Sequence, residues 1–437
     1  MQGLLSKVFA FIFLFALCER ASAQDSIQLR THINQLASKG MFGRGYVGKG
    51  MQKAGRYVAQ QYAAAGLQYF GKSYAQAFTY PVNTFPSVMD VKVEDKTLTA
   101  GVDYLVHPAS KGFQAEKLKV KIIDGRTFVE KGAKNPAKEW QKWQKKMSKK
   151  KYAYLLTNMD TVKSLMEWKS NNRDLVQQLP EGVFLTQHKV KPIWSVAANP
   201  VAATLIELYD STLLLKKNNK LEVTIINQHV PKFEAENLIG FVPGTERPDS
   251  FIIITAHYDH IGKMGNKAMF PGASDNASGT AMLLSLAKHY ADTPAKYTMV
   301  FMAFAGEEAG LLGSKFFVEN PSFNLGQIKF LINLDILGDA TDGISVVNGE
   351  SHRDEFQMLA ALNQTAESGQ VLKEVRRGGA AANSDHHHFS EKGVPAFFIF
   401  SMGGKGYYHD IWDKAEHVTL KNVPAVGQLL KRFIQTF

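Results

Sequence analysis

The sequence predicts an α/β fold, a mixed and mostly parallel sheet flanked by helices, with a smaller β-rich inserted domain. Three observations carry this expectation. From about 236 onward, near-continuous apolar runs (SFIIITAHY, YTMVFMAFAG, IKFLINLDILG and VPAFFIF) alternate with helical patterns, and strands that apolar belong to a sheet covered on both faces. Between about 87 and 235 the texture changes to short β-rich runs such as DVKVED, LKVKIID, YAYLLTN, GVFLTQ and LEVTIINQ, broken by polar stretches. At 437 residues with 45% hydrophobic content, the chain exceeds one small core and suggests about two domains.

Residues 1–23 have the layout of an export signal. Lys7 supplies positive charge, VFAFIFLFAL is the apolar core, and Ala21-Ser22-Ala23 fits a small-residue cleavage site. The mature chain is expected to begin near Gln24 and to be exported, to the periplasm or the cell exterior. The apolar run is short and closely followed by Glu19 and Arg20, so no stable membrane span is expected after cleavage. The single cysteine, Cys18, lies inside this segment. A mature chain without thiols excludes disulfides, cysteine nucleophiles and Cys-ligated zinc. Any metal would have to be held by His, Asp and Glu.

Residues 24–86 read as the N-terminal part of the main domain, with helical spacing at 26–37 and 50–66 separated by the Gly-rich turn KGMFGRGYVGKG. Residues 87–235 read as the insert. They contain no cluster of His and carboxylates at ligand-like spacing, which favours a structural, gating or specificity role over chemistry. The net charge is +11, and +10 once Lys7, Arg20 and Glu19 leave with the signal. Much of the excess sits in the run KGAKNPAKEWQKWQKKMSKKKYAYL at 131–155. A nucleic-acid or membrane surface would use such a run with Trp140 and Trp143 stacking outward. A solvated amphipathic helix with Trp and Met facing inward is the expected reading, and no nucleic-acid partner is expected.

Residues 236–437 read as the catalytic domain, with helical patterns at 275–291, 307–319, 352–367 and 420–436. In open α/β sheets reactive groups gather at the carboxyl ends of the strands. His257 and Asp259 end the first strand in FIIITAHYDH, two apart, so both can point the same way. That pair suits a metal ligand with an orienting carboxylate. Asp275 in PGASDNASGT stands at a helix start, where it could equally be an N-cap. Glu307 and Glu308 in FAGEEAG would repel each other without a cation and share tasks beside one, although a helix first turn also tolerates the pair. Asp335 ends LINLDILG, and burial after so apolar a run needs a partner charge. His409 lies in GYYHDIWD after FFIFSMGG. Five potential N/O ligands at five strand ends are hard to explain as five separate caps.

Taken together, HYDH, PGASDNASG, GEEAGLLGS, NLD, SDH and YYHD resemble the secreted two-zinc aminopeptidase family of zinc exopeptidase fold, which includes bacterial leucyl aminopeptidase and glutamate carboxypeptidase. The likeness covers 236–437 closely and LASKGMFGRG with the following helix loosely, while 87–235 looks like a protease-associated insert. The resemblance implies two Zn2+ held by His257, Asp275, Glu308, Asp335 and His409. Asp275 would bridge them, His257 and Asp335 would complete one site, and Glu308 and His409 the other. It implies Glu307 as general base, Asp259 as the carboxylate orienting His257, and Tyr408 as a group polarising the carbonyl of a peptide substrate. Ser384, Asp385 and His386 match a motif near the substrate. His387 and His388 receive no role, and His260 is read as structural.

Two rivals share the fold. Glutaminyl cyclases of this type carry Trp before the last His ligand, where this chain has Tyr408. A non-catalytic relative resembling transferrin receptor would have lost ligands that are all present here. Within the peptidases, an aminopeptidase is expected, and a carboxypeptidase or dipeptidase is the alternative. A carboxypeptidase needs cations for the substrate carboxylate, and Arg376, Arg377, Lys405 and Lys263 lie within sequence range.

Overall fold

A computed structural model describes residues 25–437 except 133, 169–171, 191–192, 210–212, 214 and 366–370. The expected export signal at 1–23 lies outside the described residues. Among these, no helix is long and apolar enough to cross a membrane.

The main sheet has eight strands. In spatial order they are Ala75–Thr84, Gln228–Val242, Tyr297–Phe304, Arg247–His257, Ile328–Leu334, Ala396–Met402, Gly343–Val347 and Val375–Arg377. The middle four, from Tyr297–Phe304 to Ala396–Met402, are mutually parallel. Antiparallel partners flank them on both sides. Period-two alternation is visible along Arg247–His257. Ile252 and Ile254 belong to the core shared with helices Gly50–Ala65, Gly279–Asp292 and Val423–Ile434, while Phe251 and Ile253 face the opposite core with Phe317 and Phe389. Helices therefore cover both faces, which is why these strands carry so few polar residues.

From Arg247–His257 the chain crosses to Tyr297–Phe304 on one side and then to Ile328–Leu334 on the other. The order reverses beside His257, and such a reversal opens a crevice beyond the carboxyl ends of the strands. Register brings those ends level, since His257 pairs with Phe304, Thr255 with Asn333 and Leu334 with Ile399.

A second eight-stranded sheet runs from Met89 to Ile225. Four of its strands, Phe113–Asp124, Tyr152–Thr157, Gly182–Gln187 and Ala203–Leu208, are parallel, and the first three are joined through helices Gly125–Gly132, Pro136–Met147, Met159–Leu165 and Asn172–Gln178. This unit is itself an α/β layer, richer in helix than its sequence texture predicts, because its helices are short and strongly charged. Helix Pro136–Met147 in the basic run turns Trp140, Trp143 and Met147 into an apolar cluster with Phe128. Its tryptophans are core residues, not stacking platforms. The strand Gln228–Val242 crosses the expected boundary at 235/236, and its first half pairs with Ala75–Thr84 in the main sheet.

Arg44 ties the N-terminal segment to this frame. Its side chain is fully buried, and its guanidinium donors all reach backbone carbonyls. Nε bonds Tyr258 O at 2.9 Å. Nη1 bonds Leu36 O at 3.2 Å and Pro271 O at 2.7 Å. Nη2 bonds Gly272 O at 2.7 Å and Asp275 O at 3.2 Å. Burial lowers its pKa to about 10, opposed by Asp275, Asp413, Asp259 and Glu308. The glycines of Phe-Gly-Arg-Gly follow from this close approach. A Cβ on Gly43 would strike the carbonyl of Phe270, and one on Gly45 would strike Gly262. Replacing a buried, fully bonded cation strands its partners, so Arg44→Met is expected to destabilise the fold by about 3 kcal/mol or more. Chemical denaturation measures this, and Arg44→Lys, with three donors for five acceptors, should fall between.

Candidate metal centre and substrate cavity

The strand ends bring the expected residues together. His257 Nε2 lies 3.2 Å from Asp335 Oδ1, 3.4 Å from Asp275 Oδ1 and 3.9 Å from Glu307 Oε2. His409 Nε2 lies 3.2 Å from Asp275 Oδ2 and 2.9 Å from Glu308 Oε2. Asp275 thus turns one oxygen toward each histidine and stands between two donor sets. His257, Glu307 and Asp335 form one, and His260, Asp275, Glu308 and His409 form the other.

Local structure decides the two readings that the sequence leaves open. Asp275 caps no helix. Its backbone is extended (φ −110°, ψ 101°), and the N–H of Gly279 is accepted by Asn276 Oδ1 at 2.9 Å. Glu307 and Glu308 do not occupy a helix first turn either, because the helix expected from 307 begins at Leu312. Both glutamates sit in the turn leaving Tyr297–Phe304, free to face the crevice.

Supporting bonds fix these side chains. Ser384 Oγ donates to Asp335 Oδ2 at 2.8 Å and accepts from Asn333 Nδ2 at 2.8 Å, while Thr255 Oγ1 donates to Asn333 Oδ1 at 2.6 Å. Asp413 accepts from the N–H groups of Ser274 and Asp275 at 2.8 and 3.0 Å, joining the His409 loop to the Asp275 loop. Burial raises the Asp413 pKa to about 6. His409 Nδ1 pairs with the carbonyl of Trp194 at 2.7 Å. Trp194 belongs to the second unit, where its indole donates to Val106 O at 2.8 Å and stacks on Phe270 at 4.8 Å. Asp259 stands beside His257 and also reaches Glu307. His257 Nδ1 meets the backbone carbonyl of Asp259 at 3.3 Å and its carboxylate only at 3.7 Å, while that carboxylate accepts from the N–H of Glu307 at 3.3 Å.

His260, read from sequence as structural, has a specific partner: its fully buried ring puts Nδ1 2.6 Å from Glu308 Oε1 and 4.0 Å from Asp275 Oδ2. Its ring packs edge-on to His409 at 5.6 Å. Its position three residues after His257, just past the strand, was the available signal. Arg44, Asp413 and Trp194 were not singled out as positioning groups, since each acts through a contact more than a hundred residues away along the chain.

The electrostatics favour positive charge. Burial opposes ionisation of His409, yet Glu308 and Asp275 raise its pKa to about 11. Burial likewise opposes the His257 imidazolium, and Asp335 and Glu307 overcome it to raise the pKa well above the usual range. Burial raises the Glu307 carboxyl well above the ordinary value, only partly offset by His257 and reinforced by Glu308, Asp335 and Asp385. The donors also fit a metal by spacing. Two ligands each 2.0–2.1 Å from a tetrahedral zinc ion lie about 3.3 Å apart, and the two histidines meet the Asp275 oxygens at 3.4 and 3.2 Å. A sulfur-free set of His and carboxylates suits zinc.

A cavity of about 250 Å3 opens beside the first donor set, lined by His257, Asp275, Glu307, Asp335, Ile336, Asn383, Phe398, Phe400 and Tyr408. Its lining contains no lysine or arginine. Of the four cations in sequence range, Arg376 pairs with Glu374 at 2.9 Å, Arg377 pairs with Glu350 at 2.7 Å, and Lys263 lines a separate pocket beside Trp194. Lys405 lines a neighbouring cavity with Tyr407 and Tyr408.

Residues 237–434 match the family model described as Peptidase family M28. Aminopeptidase YwaD of Bacillus subtilis (strain 168) is 29% identical over 205 residues, 45% of this chain and 43% of that protein, so the chain spans less than half the length of this relative. Among solved structures, BSAP, a zinc aminopeptidase from Bacillus subtilis, superposes with a TM-score of 0.64 at 15% identity, covering 94% of each chain. A Peptidase M28 precursor from Shewanella amazonensis SB2B reaches 0.67 at 15% identity, covering 97% of each. At such identities the structures establish a shared fold.

Loss of a bond that orients a metal-ligating carboxylate weakens metal affinity by about 10- to 100-fold. His260→Ala is expected to show a drop of that size in zinc competition against a chromophoric chelator. His260→Asn, which can offer an N–H near the Nδ1 position, should recover most of it. Wild-type affinity in the alanine variant would leave His260 a packing residue.

Proposed function

We propose that the protein, whose residues 237–434 match the model of Peptidase family M28, is an exported zinc-dependent aminopeptidase acting on peptides with apolar first residues. The observation that carries this reading is Asp275, whose two oxygens meet His257 and His409 from opposite sides at 3.4 and 3.2 Å. In this reading His257, Asp335 and Asp275 hold one zinc ion, and Asp275, Glu308 and His409 hold a second, with His260 steadying Glu308. When bound, the ions lower the pKa of a water and polarise the scissile carbonyl.

The remaining chemistry belongs to the side chains. Glu307 accepts the water's proton and delivers it to the leaving amine, a task that suits a carboxyl whose burial raises its proton affinity. Asp259, bonded to the Glu307 N–H at 3.3 Å, positions this base as well as backing His257. Tyr408, stacked on His409 at 4.0 Å and lining the cavity, donates to the developing oxyanion. Phe398, Phe400 and Ile336 offer the substrate side chain an apolar wall.

The choice of aminopeptidase over carboxypeptidase is supported by the lining of the cavity beside His257, which has no cation among the described residues, and by the ion pairs of Arg376 and Arg377 elsewhere, while Lys405 lines the adjoining cavity that shares Asp275 and Tyr408. Export is supported by Lys7, the apolar run and Ala21-Ser22-Ala23. The segment 87–235 would be an insert that shapes access, because it supplies the Trp194 carbonyl to His409.

The test pairs zinc content with hydrolysis of peptides whose two termini are free or blocked in turn. The wild type should cleave only peptides with a free N-terminus. Glu307→Gln should retain its zinc and lose about 10²- to 10⁴-fold in kcat. Near-normal turnover by that variant would remove Glu307 from the base role, and cleavage that requires a free C-terminus instead would overturn the aminopeptidase assignment.

A further inference from the structure

The short helix His386–Glu391 has two chemically different sides. Phe389 is fully buried and packs on Phe317 at 5.7 Å and Phe304 at 6.1 Å, while His386 lies against Phe398 at 5.3 Å. The outer side carries His387, His388 and Glu391, with side chains 28%, 19% and 57% exposed. His387 Nε2 lies 3.5 Å from Glu391 Oε1, His388 Nδ1 lies 3.2 Å from Glu391 Oε2, and the two rings are 5.1 Å apart.

Each pair taken alone is an ordinary contact between residues three or four apart on a helix. The convergence of both imidazoles on one carboxylate is not ordinary. One ligand atom from each residue can be chosen so that all three lie within 4.8 Å of one another. The two N···O separations, 3.5 and 3.2 Å, are close to the spacing of about 3.3 Å between neighbouring ligands of a tetrahedral zinc ion. Two imidazoles and a carboxylate form a donor set that zinc and copper favour, and exposure leaves the fourth position to water.

We propose that His387, His388 and Glu391 form an accessory site for a divalent transition metal, separate from the cluster at the strand ends. The sites differ in burial, so the buried cluster fills first and the exposed one responds to free metal in excess. The helix continues directly from Ser384, whose hydroxyl holds Asp335 at 2.8 Å. An ion on the outer face therefore clamps the segment that positions a residue of the buried cluster. None of this requires that the protein hydrolyse peptides.

The test uses the full chain, first loaded with zinc and dialysed against micromolar free zinc, with bound metal counted by elemental analysis. The wild type should carry one more zinc ion per chain than His387→Ala or the His387→Ala/His388→Ala double variant, and Glu391→Gln should bind that ion more weakly. Further zinc should raise the melting midpoint of the wild type but not of the double variant. Equal zinc counts in wild type and double variant would overturn the proposal, as would an additional ion that persists in all three variants. Both readouts count or sense metal, so they stand even if the peptidase reading fails.

Discussion

Seven carboxyl groups, those of Asp259, Asp275, Glu307, Glu308, Asp335, Asp385 and Asp413, crowd the carboxyl edge of one apolar sheet with little exposure to water. Like charges this close cannot all ionise unless positive charge or hydrogen-bond donors stand among them. The surrounding structure can be read as the answer to that constraint. His257, His260 and His409 interleave with the acids, backbone N–H groups serve Asp259 and Asp413, and a hydroxyl serves Asp335. Arg44 sits behind the cluster, its donors occupied by carbonyls that include that of Asp275. These compensations still leave imidazoles with strongly raised proton affinity. That is what a place suited to cations looks like.

The four parallel central strands of the main sheet were legible because they are apolar enough to be unmistakable, while its four flanking strands were not read. The ligand candidates could be read for the same reason, since a charged group directly after such a run has few cheap explanations. Single positions were less informative. Asp275 and the Glu307-Glu308 pair each had a helix-terminus explanation, and only the observed backbone at Asp275 and the late helix start at Leu312 set those aside.

What sequence could not supply was mostly contact across long separations. Arg44 looks like an ordinary basic residue in a glycine-rich turn until four carbonyls more than two hundred residues away, and one nearby, surround it. Trp194 acts through its backbone carbonyl, which no residue type announces. The partner of His260 could not be read either, since Glu308 lies 48 residues further along the chain. In the second unit the amphipathic pattern in 131–155 was readable, but the shorter helices Gly125–Gly132, Met159–Leu165 and Asn172–Gln178 were not, and the segment read as more purely β than it is.

The bond between His409 and Trp194 spans 215 residues, and Arg44 joins the N-terminal turn to the Asp275 loop across more than two hundred. Both contacts act on the cluster from outside residues 237–434. A chain cut back to that segment would keep His257, Asp275, Glu308, Asp335 and His409 but lose the carbonyl that pairs with His409 and the guanidinium that holds the Asp275 loop.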